Sequence, residues 1–239
     1  MRTAAILPVK RFASAKSRLG QAVADELRGQ LARAMVADVL QALAQCSAIE
    51  ATIVVSSEPS LPETARAHGA LLIEDSAEQG QSAAVLLGVQ RAMADGFERV
   101  LCVPGDCPAL DPAELYELLA EVENSSSAGA PDAPTGGRSL VIIPDRHGTG
   151  TNGLLLSPPD VISPSFGPGS CERHRTLAHE AGVACRVEQP SSLLLDIDTG
   201  ADLAALRERL AGANAGALRT RAVLSQPEKT EVITVNSVD

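Results

Sequence analysis

Thr3-Ala-Ala-Ile-Leu-Pro-Val-Lys-Arg-Phe-Ala-Ser-Ala-Lys-Ser-Arg-Leu19 is the stretch on which the fold turns. Its apolar run from Ala4 to Leu7 reads as a buried first strand. Pro8 cannot donate to a sheet ladder and reads as the strand's end. A basic loop follows, then a helical pattern from about Val23. Between Arg2 and Arg33 stand seven basic residues (Arg2, Lys10, Arg11, Lys16, Arg18, Arg28, Arg33) and two acidic ones (Asp25, Glu26), in a chain of net charge −10. A positive patch at the carboxyl end of a strand in an acidic protein fits a site for a polyphosphate. The alternative reading is a solvated basic loop with no ligand.

Working outward, strand-like and helix-like patterns alternate, which implies an α/β domain with a largely parallel sheet and covering helices. Residues 23 to 45 form an amphipathic pattern carried by Leu27, Leu31, Met35, Val39 and Leu43. Strands are expected at Thr52 to Val55, Ala70 to Ile73, Arg99 to Val103, Leu140 to Ile143 and Leu193 to Ile197. Helices are expected at Leu61 to His68, closed by Gly69, and at Ser82 to Ala94. A third opens at Asp111-Pro112 and runs to about Val122. Thr199 and Asp202 have the spacing of a capping box for a last helix reaching about Leu210. Asn124 to Gly137 reads as an exposed loop, and residues 144 to 170 as a long stretch with little regular structure. The catalytic domain is expected over residues 1 to 210. Residues 211 to 239 read as a tail, possible strand Glu231 to Val235 included.

Composition narrows the function. The chain has 239 residues, 45% of them hydrophobic, enough for one core. Aromatics are only 2% and the pI is about 4.9, which argues against nucleic-acid binding. Five cysteines, an odd number with no Cys-x-x-Cys pair, argue against a disulfide scaffold or a zinc site and point to a reduced, cytoplasmic setting. No apolar run approaches a membrane span. His174 and His179 are five apart and do not share a helix face, so the histidines are read as non-metal.

Val103-Pro104-Gly105-Asp106 sets a carboxylate just past a strand, and Asp196-Ile197-Asp198 offers two more at a second expected strand end. Alternate residues of an extended segment face the same way, so the three can converge. Such hard oxygen ligands suit Mg²⁺ completed by substrate phosphates. Singly, Asp106 could be a turn cap and Asp198 a helix cap. Asp145-Arg-His-Gly-Thr-Gly-Thr-Asn152 and Phe166-Gly-Pro-Gly-Ser170 add small residues and hydroxyls, and the second precedes an expected helix start, a natural anion site.

Five motifs in this order, Leu-Pro-Val-Lys…Ala-Lys-Ser-Arg-Leu, Pro-Gly-Asp-x-Pro, Asp-Arg-x-Gly-Thr-Gly-Thr-Asn, Phe-Gly-x-x-Ser-x-x-x-His and Asp-Ile-Asp-Thr, resemble the phospholactate/phosphoenolpyruvate guanylyltransferases of coenzyme F-420 biosynthesis. The resemblance covers about residues 3 to 210. It implies a Rossmann-like nucleotidyltransferase fold, a mostly parallel mixed sheet with helices on both faces. It implies GTP and a three-carbon phosphoacid as substrates, pyrophosphate as product, and a downstream deazaflavin transferase as recipient of the other product. By the same resemblance Asp106, Asp196 and Asp198 are metal ligands, expected to hold two Mg²⁺. Thr151, Gly167 and Ser170 bind the phosphoacid, and Lys10, Lys16 and Arg18 form the catalytic triphosphate loop. Pro8, Gly80, Ser82 and Gly105 join Lys10 and Lys16 around the nucleotide. The family usually has Asn where Ser82 stands, near the guanine, and a hydroxyl offers less than a two-ended amide.

The implied chemistry needs no general base, because a substrate phosphate is mostly dianionic at neutral pH. A molybdopterin or sugar nucleotidyltransferase would share the fold but carry a shorter second half. A glycosyltransferase would place its Asp pair mid-chain. A non-enzymatic GTP sensor would leave residues 145 to 170 without a purpose.

Overall fold

The computed structural model describes residues 1–14, 19, 25–127, 138–212 and 216–226. Seven strands form one sheet in the order β3-β2-β1-β4-β6-β5-β7. They are β1 (Thr3–Val9), β2 (Ala51–Ser56), β3 (Leu71–Glu74), β4 (Arg99–Cys102), β5 (Ser139–Pro144), β6 (Thr151–Ser157) and β7 (Ala184–Val187). The helices are α1 (Asp25–Gln45), α2 (Leu61–Ala67), α3 (Gln81–Ala94), α4 (Pro112–Ser127), α5 (Ser170–Glu180), α6 (Gly200–Arg209) and α7 (Leu218–Leu224). Strand β1 pairs in parallel with β2 and β4, β2 with β3, and β5 with β7, whereas β6 runs antiparallel to both its neighbours β4 and β5. The sheet is thus mixed and mostly parallel, as expected.

Alternation along the strands feeds two cores. Leu7, Val54, Leu101 and Leu155 pack with Val39 and Leu43 of α1 and with Leu115 and Leu119 of α4. Ile6, Ile53, Cys102 and Leu154 pack on the other face with Val85 and Val89 of α3 and Ala178 of α5. A third cluster ties Leu31 and Met35 of α1 to Ile197 and to Leu203 and Leu206 of α6.

Four expectations need correction. Strand β1 does not stop at Pro8 but continues to Val9, in register with β2. Its pairing with β4 ends at Ile6, so Pro8 lies where β1 has a partner on one side only and its missing N–H breaks no ladder. Residues 144 to 170 are not without regular structure, because they contain β6. Every residue of β6 is buried between two partner strands, so long-range pairing overrides the Gly- and Pro-rich local signal. Leu193 to Ile197 is not a strand. Ser191–Leu193 is a 3₁₀ turn, and the extended segment after it makes one backbone bond to the Asp106 turn, Ile197 N–H to Asp106 O at 3.1 Å. Its apolar residues Leu193 and Ile197 are held by side-chain burial instead. Finally, helix α4 carries on through residues 124 to 127, where a loop was expected, and edge strand β7 gave no readable signal.

Within residues 211 to 239, α7 packs on α1, and the buried Asp38 carboxylate accepts the N–H groups of Arg219 and Thr220 at 3.1 and 2.8 Å. Glu231 to Val235 lies outside the described residues. All five cysteines are free. Among the described residues no helix is long and apolar enough to cross a membrane.

Candidate active site

A cleft of about 690 Å³ opens beyond the ends of β1, β2 and β4, on the side where β6 begins. One wall is made by the segment after β1 and the turn before α3. Lys10 is exposed there, and Arg11 pairs with Glu78 at 2.8 Å. The segment after β1 is pinned in place: Ser56 Oγ donates to Val9 O at 2.7 Å, and Phe12 N–H donates to Glu58 at 2.8 Å. Burial would raise the Glu58 carboxyl, but hydrogen bonds from the Ser60 hydroxyl and from the Phe12 and Ser60 N–H groups, with the Arg33 charge, hold it below its ordinary range. Lys16 and Arg18 lie outside the described residues. Pro8, Gly80 and Gly105 line the cleft with Lys10. At Gly105 a Cβ would come within 2.9 Å of Val36 Cγ2, so the turn can lie this close to α1 only without a side chain.

The floor carries the acids. Asp106, Asp196 and Asp198 all line the cleft. No strand holds the last two, and Ile197 between them is fully buried in the α1–α6 cluster, with both carboxylates on the cleft. Burial, reinforced by the charges of Asp106 and Asp198, raises the Asp196 carboxyl above its ordinary range. Asn152, buried on β6, donates to Asp196 Oδ1 at 3.2 Å and to Leu193 O at 2.8 Å, fixing this segment against the sheet. Asp198 is set by the helix behind it. Asp202, at the third position of α6, accepts the N–H groups of Asp198 and Thr199 at 3.2 and 2.6 Å and completes the expected capping box. Arg146 reaches from the β5–β6 turn to the same Asp202 carboxylate at 2.6 Å.

The donor chemistry fits a hard divalent cation, since three carboxylates share one field and repel one another. Among the described residues, however, no three His, Cys, Asp or Glu side chains stand as a ready-made ligand cage. The carboxylates share the cleft without closing on a point.

The opposite wall is a packed polar network. Gly167 lines the cleft at φ +112°, a backbone region that side chains rarely enter. Ser170 opens α5 as expected and lines the cleft, yet it is almost wholly enclosed, and its hydroxyl donates to Thr151 Oγ1 at 3.0 Å. Thr151 lines the cleft at 8% exposure and contacts His174 Nδ1 at 3.1 Å. Arg173 clasps the 165–168 turn through the Ser165, Phe166 and Pro168 carbonyls. Ser82 is not among the lining residues. Its hydroxyl accepts Phe166 N–H at 2.9 Å, tying α3 to this wall.

The acids, glycines and hydroxyls singled out in the sequence, Ser82 excepted, thus line one cleft where they are described. The sequence does not point to Asn152 and His174, which position those groups, or to Asp75 and Glu78, which line the cleft near Gly80. Asp202 forms the expected capping box and through the same carboxylate also holds the Asp198 N–H.

Comparison with known proteins gives the family and the fold. The family described as "Guanylyl transferase CofC like" matches residues 3–217. The chain is 46% identical over 230 residues to the phosphoenolpyruvate guanylyltransferase of Conexibacter woesei, covering 96% of this chain and 98% of that one. It is 32% identical over 206 residues to the 2-phospho-L-lactate guanylyltransferase of Methanothermobacter thermautotrophicus, covering 85% and 83%. A solved nucleotidyl transferase from Methanothermobacter superposes with a TM-score of 0.60 at 19% identity, over 87% of this chain and 96% of that one, which supports the fold. The chain belongs to the CofC-like guanylyl transferase family.

Proposed function

We propose that this enzyme transfers GMP from GTP to phosphoenolpyruvate and releases pyrophosphate, as a step toward coenzyme F-420 whose product a deazaflavin transferase then consumes. The observation that carries the reading is the two-walled cleft, with cationic and backbone groups on one side, a buried hydroxyl network on the other and three carboxylates between them. The 46% identical relative is named for phosphoenolpyruvate, which favours that acid over phospholactate.

A phosphate oxygen of the acid attacks the α-phosphorus of GTP. The new P–O bond forms as the bond to the β-phosphate oxygen breaks, and pyrophosphate leaves. No proton needs removal, since the attacking phosphate is largely dianionic at neutral pH. Asp106, Asp196 and Asp198 are the residues that would hold Mg²⁺, which when bound offsets repulsion between the two anions. Lys10 faces charge growing on the departing pyrophosphate, a role the family resemblance extends to Lys16 and Arg18. Thr151, Ser170 and the backbone at Gly167 hold the acid. Asp75 and Glu78 offer carboxylates to a base that presents an N–H and an amino group, as guanine does.

Pyrophosphate release should be followed with GTP and, in turn, phosphoenolpyruvate, 2-phospho-L-lactate and 3-phosphoglycerate, with ATP and CTP as controls. Fastest turnover is expected with GTP and phosphoenolpyruvate. Release with none of the acids overturns the reading, and faster release with phospholactate reassigns the acid.

A further inference from the structure

His174 is fully buried in α5, and its two ring nitrogens are both engaged. Ser165 N–H lies 2.9 Å from Nε2. A backbone N–H can only donate, so Nε2 must be the bare, accepting nitrogen. The proton of the neutral ring then sits on Nδ1, which must donate to Thr151 Oγ1 at 3.1 Å. Ser170 Oγ donates to the same Thr151 oxygen at 3.0 Å. A hydroxyl has two lone pairs and one hydrogen. With both lone pairs occupied, by Ser170 and His174, Thr151 keeps only its O–H, and Thr151 lines the cleft with Ser170 beside it.

From this we infer that His174 is a positioning residue, which as the Nδ1–H tautomer turns Thr151 into a one-way hydrogen-bond donor toward an anionic oxygen of the acid substrate. The inference rests on the proposed acid site. A threonine free to rotate would accept as readily as it donates. One locked this way favours phosphate or carboxylate oxygens and disfavours a neutral alcohol donor at the same spot. The edge of Phe166 packs against the imidazole, ring centroids 5.3 Å apart, and keeps it from turning. Burial, with the nearby Arg173 charge adding to it, pushes the ring's pKa down to about 4, so the neutral form holds at working pH.

Three measurements test this. First, long-range ¹⁵N–¹H spectra of the wild-type protein at pH 7 should show His174 protonated at Nδ1 and bare at Nε2; the reverse tautomer, or a charged ring, overturns the inference without any variant or turnover. Second, His174→Gln, which loses the contact to Thr151, should raise KM for phosphoenolpyruvate about tenfold with KM for GTP unchanged. His174→Asn, whose amide can replace the Nδ1 donor, should restore most of that loss. Third, Thr151→Val should raise the same KM, and adding His174→Gln to it should change KM less than about twofold, since the two act through one bond. Multiplied effects, or equal rises in both KM values, overturn it. If the wild type turns over no phosphoacid, the proposed function fails; the spectra then stand alone, and inorganic phosphate should shift the Thr151 amide in the wild type but not in His174→Gln.

Discussion

On the wall formed by residues 8–11 and 75–81, Lys10 is exposed and Arg11 is paired with Glu78 at the surface. On the facing wall, Thr151, Ser170 and His174 are all under a tenth exposed and bonded to one another. On the proposed function, the first wall would act on its ligand through charge and through backbone that comes close, and the second through donors whose directions are fixed before the ligand arrives. A triphosphate carries enough charge to be gathered by a field, whereas small acids differing by a hydroxyl or a double bond can be told apart only by oriented contacts. The contrast makes separate demands on substitution: changes on the first wall should alter GTP use with little effect on stability, and changes on the second should alter acid use and stability together.

The largest effect should come from the floor, which both walls share. Asp198→Asn removes a charge from the acid cluster while keeping its shape, and turnover should drop about a hundredfold or more. Both KM values should move less than kcat, because the floor serves the step itself. Near-normal turnover in Asp198→Asn and Asp106→Asn together would remove the carboxylates from the chemistry and leave two unconnected binding walls.

Next comes the acid lability of the second wall. A histidine neutral in the folded protein, with its pKa down at about 4, binds its proton near pH 6.5 only when unfolded. The folded form therefore binds fewer protons between those values. Stability from this group is fully present above about pH 6.5 and is lost as the pH falls toward 4. Between pH 7 and pH 5 the loss should be about 2 kcal/mol. Urea unfolding at both pH values, in wild type and His174→Gln, isolates the contribution: the variant should lose less stability on acidification. Equal losses would mean His174 titrates freely, and the second wall would be no more rigid than the first.

The same contrast explains what could be read from sequence. On the first wall, Ala4 to Lys10 was legible because strand and loop follow one another along the chain, whereas Asp75 and Glu78, brought beside them by the pairing of β2 and β3, were not. The proposed acid site was legible as residue types and not as architecture. Thr151 stands at the start of β6, a strand held by pairing with β4 and β5, and the partner residues Leu101 and Leu155 are 54 positions apart. No local period announces such a pairing. Asn152 and His174 escaped for a related reason: each acts on a residue brought near by the fold, as Asn152 does on Asp196 across 44 positions. Only the motif ending at His174 hinted at that group, and a histidine without a metal or a proton to move had no evident task.

A smaller effect is expected at Lys10. The side chain is exposed, so Lys10→Ala should leave the melting temperature within about a degree of wild type, as exposed charges add little to stability. KM for GTP should rise about five- to tenfold, and more steeply at low salt than at high salt, since a field contribution is screened. Phosphoenolpyruvate KM should hold. A rise confined to the acid would exchange the roles of the two walls.

The smallest effect should come from Ser82, which belongs by sequence to the nucleotide side and by contact to the other. It sits in the first turn of α3, two residues after Gly80, yet its hydroxyl accepts Phe166 N–H at 2.9 Å. Phe166 in turn packs its ring against His174, so the bond runs from α3 into the network that orients Thr151. Ser82→Ala leaves one backbone N–H without that acceptor, a loss of about 1 kcal/mol in stability. Displacement of the turn should then raise KM for the phosphoacid two- to threefold and leave KM for GTP, and the preference for GTP over ATP, unchanged. Ser82→Asn returns an amide oxygen to the position and should recover part of the loss if it reaches Phe166 N–H. Should Ser82→Ala instead weaken GTP use or relax the choice of base, then Ser82 belongs to the nucleotide wall, and α3 serves one wall only.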